Sequence, residues 1–305
     1  MSRYQEVMSA SQAWIAHFNR GDARACAAAY TAEATLVAAP FGQFAGREAI
    51  ARFWEELVAM GLGELVYRDV RLHFIDDDHA LLSANWSMNL AAGVISKELW
   101  VREQGSWRLA EDDFTVLARF DKVPAHRQAL LIVDMQNDYL PEGRFPLVGI
   151  EEAMGQTRRL LQHFRQQQWP VIHIQHLFAT GQAPFFEEGS EGAEIHPWLT
   201  PQSGEVRVIK RGINALIGTE LAQTLLTLGI EKLVVAGAMA HLCVEGVVRA
   251  LAESGYACTL VSDAIAAPEL VGVSATQVCA VTAQTLGFGF AEVVETQQLL
   301  ETVPG

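Results

Sequence analysis

The chain has 305 residues, half of them hydrophobic, and a formal net charge of −14 at pH 7; that length suits two domains, and an acidic balance with no Lys/Arg cluster argues against nucleic acid as a partner. No apolar run reaches the roughly 18 residues that a membrane span needs, and the start, Met1-Ser2-Arg3-Tyr4-Gln5-Glu6, has no basic segment followed by an apolar one, so neither a membrane partner nor a signal peptide is expected. The four cysteines, Cys26, Cys243, Cys258 and Cys279, have neither metal-ligand nor redox-pair spacing, which makes the expectation a reduced, cytoplasmic protein without a metal or cofactor.

In chain order, Ser11 to Phe18 has helical spacing with Trp14 and Phe18 on one face, and Asn19-Arg20-Gly21-Asp22 breaks it. A second helix is predicted from Ala23 to Tyr30, a loosely alternating strand from Glu33 to Ala39, and a third helix from Gly46 to about Met60. Strand-like runs follow at Val66 to Phe74, Ala80 to Leu90, Ile95 to Glu103 and Trp107 to Ala118, separated by turn signals at Asp76-Asp77-Asp78, Ala92-Gly93 and Gln104-Gly105-Ser106. Helices followed by a meander of long strands predict an α+β fold, a curved sheet wrapped on helices, over residues 1–122. Its polar candidates for the interior are Tyr30, His73, Asn85 and Asp113, while Trp54, Trp86, Trp100 and Trp107 read as core.

A short segment, Phe120 to His126, joins this half to a second one that spans 126–305. There strand and helix signals alternate: strands at 129–133, 171–175, 206–209, 232–236, 257–261 and 291–295, with helices at 152–167, 219–228, 243–254 and 274–286 and a last one from Gln297. Repeated strand–helix units predict an α/β domain whose parallel sheet is covered on both faces.

Three of those strands end in chemistry. Ala129–Val133 runs into Asp134, Val206–Ile209 into Lys210, and Lys232–Ala236 into Gly237 and a small-residue turn that reaches Cys243. Open α/β sheets bind ligands at the carboxyl ends of their strands. A thiol at the head of a helix meets the positive end of its dipole, which lowers the thiol pKa and supplies N–H donors to a developing oxyanion. Asp134 is placed to take the thiol proton, and Lys210 to hold the carboxylate. Taken singly, each has a structural reading as well: a buried cysteine, a capping aspartate, a surface lysine.

The motifs Leu131-Ile132-Val133-Asp134-Met135-Gln136-Asn137-Asp138, Val208-Ile209-Lys210 with Asn214-Ala215 and Gly218-Thr219-Glu220-Leu221, and Gly237 through Val244 together resemble the isochorismatase-like cysteine hydrolase family over residues 126–305. The resemblance implies a three-layer, doubly wound fold, a triad of Asp134, Lys210 and Cys243, a cis peptide at Ala238-Met239, and an oxyanion hole from the backbone N–H groups of Met239 and Cys243. Residues 1–122 resemble the SnoaL-like branch of the nuclear-transport-factor-2-like superfamily, through Arg20-Gly21-Asp22, Tyr30-Thr31-Ala32-Glu33-Ala34, Gly46-Arg47-Glu48-Ala49-Ile50, Gly105 to Ala110, and Asp112-Asp113. That resemblance implies a cone-shaped α+β fold and no particular chemistry; dimerisation or control of access to the hydrolase site is the role expected of it, in a homo-oligomer.

The expected reaction is hydrolysis of a small-molecule amide or related C–N bond through a thioester, with vinyl-ether hydrolysis and a non-catalytic scaffold as alternatives. The substrate-binding candidates are Gln136, His176, Phe185, Phe186, Trp198, Asn214 and His241. Phe185 and Phe186 sit in the long segment Phe178 to Trp198, where they read equally as pocket wall or loop anchor, and Glu187 and Glu188 read as attractants for a cationic substrate or as solvated charges. Nicotinamidase-type relatives hold a metal through Asp-x-His at the strand end where this chain has Val171-Ile172-His173-Ile174-Gln175-His176. Without that aspartate, and with His173 and His176 three apart on a strand and so pointing oppositely, one histidine is expected to be buried and hydrogen-bonded and the other near the site.

Overall fold

Burial alternates along the strands of the N-terminal unit, and that alternation decides what faces its core. The computed structural model describes residues 2–124, 126–181 and 183–302; Ala125 of the joining segment and residues 303–305 lie outside the described residues. Three helices, α1 (Arg3–Asn19), α2 (Ala23–Ala28) and α3 (Arg47–Ala59), accompany six strands, β1 (Tyr30–Ala39), β2 (Gly42–Ala45), β3 (Val66–Phe74), β4 (His79–Ser87), β5 (Ala91–Glu103) and β6 (Ser106–Arg119). The sheet order is β2-β1-β6-β5-β4-β3, antiparallel except for the parallel pair β1–β6. A capping box at Ser2 and Gln5 starts α1, and the Asp22 side chain starts α2. Trp14 and Phe18 of α1 meet Trp54 of α3 edge to face in one buried cluster with Leu82, Trp86 and Phe114 of the sheet.

The interior of this unit differs from the expected one. Straight alternation from Trp107 and Leu109 would turn Asp113 inward. The β5–β6 pairing instead shifts register at Leu99/Trp100, and the buried positions of β6 become Trp107, Leu109, Asp112 and Phe114. An extra residue in a strand exchanges its faces, so Asp112 is inside and Asp113 lies 3.5 Å from Lys97 on the outside. His73 is exposed and Asn85 half-buried, while Tyr30 is fully buried.

The C-terminal unit, from His126 onward, contains β7 (Gln128–Val133), α4 (Ile150–Gln166), β8 (Val171–His176), β9 (Val206–Lys210), α5 (Leu221–Thr227), β10 (Lys232–Ala238), α6 (Glu245–Glu253), β11 (Ala257–Ala266), α7 (Ala275–Gly287), β12 (Glu292–Val294) and α8 (Thr296–Thr302). Its six strands are all parallel, in the order β12-β11-β10-β7-β8-β9. β7 lies at the centre and is buried on both faces, which is why it reads as an unbroken apolar run. Leu130 and Ile132 share a core with Met154, Leu160, Leu161 and Phe164 of α4 and Leu299 of α8; Leu131 and Val133, pointing the other way, are just as buried.

Gly237 shows why β7 and β10 approach so closely. Its φ is +141°, and a Cβ there would meet the Val133 carbonyl oxygen at 2.1 Å. The segment after β10 is a π-helical turn, Ala240–Val244, and the regular helix begins only at Glu245. Cys243 therefore stands inside that turn, two residues before the regular helix, and not at the head of one as the sequence predicts.

Candidate active site

The four adjacent strands β10, β7, β8 and β9 deliver Cys243, Asp134, His176 and Lys210 to one carboxyl edge of the sheet. Lys210 is the last residue of β9 and His176 the last of β8. Asp134 follows β7 directly; its backbone has φ 50°, in the left-handed region, and its N–H donates to the Ile174 carbonyl at 3.0 Å. Such a conformation is uncommon for a non-glycine residue and persists where its surroundings hold it. The peptide bond between Ala238 and Met239 is cis.

Lys210 is the hub. Its ammonium is 2.9 Å from Asp134 Oδ2 and donates to Cys243 Sγ at 3.0 Å, to the carbonyls of Gly212 and Ile213 at 3.0 and 3.2 Å, and to His176 Nδ1 at 3.3 Å. Both side chains of the ion pair are 0% exposed, and a buried pair of this kind depends on added hydrogen bonds to offset desolvation. The two loop carbonyls supply them here.

The electrostatics correct one expectation. Burial first, and then the Asp134 charge, push the Cys243 thiol up to about 12, with Lys210 opposing. The dipole effect anticipated for a helix head is outweighed, because Cys243 is 3% exposed and its thiol feels the Asp134 carboxylate. Burial also raises Asp134 above the usual carboxylate range, against the pull of Lys210. Lys210 itself is held protonated by Asp134 and Cys243 despite the cost of burial. The resting arrangement is thus a protonated thiol beside a carboxylate and an ammonium.

His176 is held down at about 4 by burial and by the neighbouring ammonium, so it is neutral. With Nδ1 accepting from Lys210, Nε2 carries the proton, and that atom is buried without a hydrogen-bond partner among the described residues. His173 points the other way and bonds Glu205 at 2.9 Å. The donor atoms of Asp134, His176 and Cys243 all lie within 4.8 Å of one another, a spacing a metal ion could use. The lysine ammonium beside the carboxylate and the sulfur repels a second cation from that position, so these residues do not fit a metal.

The other candidates divide by what their side chains already do. Gln136 is fully buried and uses its whole amide: Nε2 donates to the carbonyls of His176 and Ala193, and Oε1 accepts from the His176 N–H at 2.9 Å. It fixes the backbone of His176. Asn214 accepts from the Leu216 N–H and closes the turn after β9. Phe186 is 0% exposed and its N–H donates to Asp138 Oδ2, which makes it a loop anchor. Phe185 is half-buried among Tyr139, Phe145 and Phe178, and Phe178 lies on His176 with 4.4 Å between ring centroids. Trp198 is 45% exposed and packs with His196 and under Arg158, on the surface. Met239 is buried, its carbonyl accepting from Leu242 and Val244. His241 is half-buried, with Nδ1 unpartnered among the described residues.

Two acidic readings also change. Glu187 pairs with Arg144 at 2.9 Å and Glu188 with Arg211 at 2.8 Å, so neither is an unpaired anion. Tyr139, which sequence reasoning passed over, is fully buried with its hydroxyl unpartnered among the described residues, and the charges of Asp134 and Cys243 add to burial in raising its pKa. Its signal in the sequence was an aromatic five residues after Asp134.

Comparison with known proteins assigns both halves of the chain to families. The isochorismatase domain family matches residues 128–287, and the SnoaL-like domain family matches residues 11–118. The chain is 40% identical over 142 residues to the uncharacterized isochorismatase family protein YddQ of Bacillus subtilis, covering 47% of this chain and 79% of that one. An isochorismatase structure from Pseudomonas putida aligns at 34% identity and TM-score 0.53, over 58% of this chain and 93% of that one. A cysteine hydrolase structure from Pseudomonas syringae aligns at 25% identity and TM-score 0.55, over 58% and 93%. With more than half its length matched to that domain, the chain belongs to the isochorismatase family of hydrolases, with a SnoaL-like domain ahead of the hydrolase domain.

Proposed function

We propose that the chain is a cysteine-dependent hydrolase of a small-molecule amide or related C–N bond. The observation that carries this reading is the Lys210 ammonium, shared between the Asp134 carboxylate and the Cys243 sulfur. Vinyl-ether hydrolysis needs an acid but no thiol, so a buried lysine hydrogen-bonded to sulfur favours nucleophilic chemistry. The likeness to a cysteine hydrolase structure agrees with it.

In this reading the substrate carbonyl carbon meets Cys243 Sγ. Asp134 takes the thiol proton as the S–C bond forms, and the carbonyl electrons move to oxygen. The backbone N–H groups of Met239 and Cys243 donate to that oxyanion, each donor being worth about 3 kcal/mol in comparable sites. Protonated Asp134 then passes its proton to the leaving nitrogen as the C–N bond breaks, releasing an amine or ammonia and leaving a thioester. Water, deprotonated by Asp134, attacks the thioester; the carboxylic acid leaves and the sulfur regains a proton. A thiol held near 12 in the free enzyme means that proton transfer accompanies attack. Among the described residues, the His176 Nε2–H and the Tyr139 hydroxyl are two unpartnered groups from which substrate hydrogen bonds would come, and His241 Nδ1 is a third.

The test is Cys243→Ala assayed against an amide library and against isochorismate. Loss of amidase turnover by roughly 10⁶-fold, with an unchanged circular dichroism spectrum, is expected; amide turnover retained within tenfold would overturn the covalent route.

A further inference from the structure

The pairing of β5 with β6 sets Glu98 directly opposite Asp112, and both side chains are buried inside the N-terminal unit, at 2% and 4% exposure. Residues opposed in this way have Cβ atoms about 5 Å apart, and like charges there repel. The hydrolase reading uses neither acid.

What surrounds the two carboxyls is neutral. Tyr30 of β1 donates to Asp112 Oδ2 at 2.5 Å; Tyr67 of β3 donates to Glu98 Oε1 at 2.9 Å and Trp100 Nε1 to Glu98 Oε2 at 2.8 Å. On the flanking strands, Leu36 of β1 stands opposite Asp112 and Leu82 of β4 opposite Glu98. Burial and the nearby acids hold both phenols well above their usual range, and burial holds the Cys26 thiol of α2 up at about 12, so all three keep their protons. No basic side chain among the described residues bonds either acid. Lys97 turns outward to Glu111 and Asp113, and Arg102 pairs with Glu6 of α1. Arg47 of α3 donates to the Tyr30 carbonyl, and Arg68 of β3 to Ser87. The histidines of the unit lie elsewhere: His17 and His79 stand beside Asp22 and Asp76, and His73 is exposed.

We propose that the Glu98–Asp112 pair is a proton-operated latch: with both carboxyls protonated, β5 and β6 hold the N-terminal unit shut, and loss of those protons loosens it along these two strands. A buried carboxylate served only by neutral donors is costly, and two of them face to face are more so. Burial, with the Asp112 charge adding to it, pushes Glu98 up to about 8. Burial, against the pull of the Tyr30 hydrogen bond, pushes Asp112 up to about 7. Once the strands part and water enters, the two groups return to their ordinary values of 4.5 and 3.8. The closed form therefore binds more protons than the opened one across that interval. Its advantage is fully present below about pH 4 and is lost by about pH 8.

Hydrogen–deuterium exchange of the full chain, read peptide by peptide from pH 5.5 to 8.5 and corrected for the intrinsic rate at each pH, tests this. Each proton released on opening raises the opening equilibrium by up to about tenfold per pH unit. Peptides of β5 and β6 are therefore expected to lose at least about tenfold in protection per pH unit between pH 5.5 and 7, and to level off above pH 8. Glu98→Gln with Asp112→Asn keeps the shape, can still bond Tyr30, Tyr67 and Trp100, and removes both ionisations. Protection of the same peptides in that double variant should be flat with pH. Each single variant should keep about half of the slope, and the singles decide the question if the double variant does not fold. Flat protection in the parent chain, protection that rises with pH, or a slope that survives undiminished in the variants would each overturn the proposal.

Discussion

Lys210 and Cys243 meet as ammonium and sulfur at 3.0 Å, in a site where each is at most 3% exposed. The same ammonium reaches Asp134 at 2.9 Å. The thiol is therefore poised between a charge that favours its ionisation and one that opposes it, and burial, reinforced by the opposing charge, prevails.

Removing that opposing charge should release the thiol. In Asp134→Asn the sulfur keeps its lysine and loses the carboxylate, so its pKa should fall from about 12. Iodoacetamide labelling of Cys243 at pH 9, measured by peptide mass spectrometry against Cys258 in the same sample, should rise at least severalfold. Turnover should disappear at the same time, because the proton acceptor is gone. Slower or unchanged labelling would mean that Asp134 does not control the thiol.

Breaking the ion pair on one side should cost more than deleting it. Lys210→Met leaves the Asp134 carboxylate buried without a cation, a loss of about 3–5 kcal/mol in comparable cases. The double variant Asp134→Asn with Lys210→Met removes both charges and should recover much of that loss in urea unfolding. Additive losses would show that the two residues are not energetically coupled.

Glu205 should set part of the acid stability of the C-terminal unit. Burial opposes its ionisation, yet hydrogen bonds from Arg165 and His173 and from the Gln202 N–H hold it down at about 2. Its folded pKa lies below the ordinary glutamate value of 4.5, so the stabilisation is present above pH 4.5 and lost as pH falls towards 2. Glu205→Gln should therefore lower stability at pH 7 by up to about 3 kcal/mol, with the gap to the parent protein closing by pH 2. A gap that is constant across that range would assign Glu205 a packing role alone.

How much of this was legible in the sequence depends on whether a residue's role is local. Asp134, Lys210 and Cys243 each end an apolar strand, and parallel strands with helical crossovers bring such ends to one edge, so their convergence could be read from periodicity and family motifs. Phe186, Gln136 and Asn214 were harder, because the atoms that bond them lie tens of residues away or depend on turn geometry: Gln136 bonds the His176 and Ala193 carbonyls, and the Phe186 N–H bonds the Asp138 carboxylate. Asp112 was misread as Asp113 because a register shift within β6 exchanges its faces, and a single extra residue leaves no mark in composition. The raised thiol pKa was missed for a related reason: the helix dipole is visible in sequence, whereas the depth of burial is not.

Each unit also contains a cysteine sealed in its interior, Cys26 in the first at 0% exposure and Cys258 in the second at 7%. Burial holds both thiols near 12 while the chain is folded, and an unfolded chain returns them to about 8.5. A thiol reagent at pH 8 is thereby a pair of independent clocks, one recording how often the SnoaL-like domain opens and the other how often the hydrolase domain does. Two clocks that keep the same time across a denaturant series would describe one cooperative molecule; two that diverge would describe domains that unfold separately.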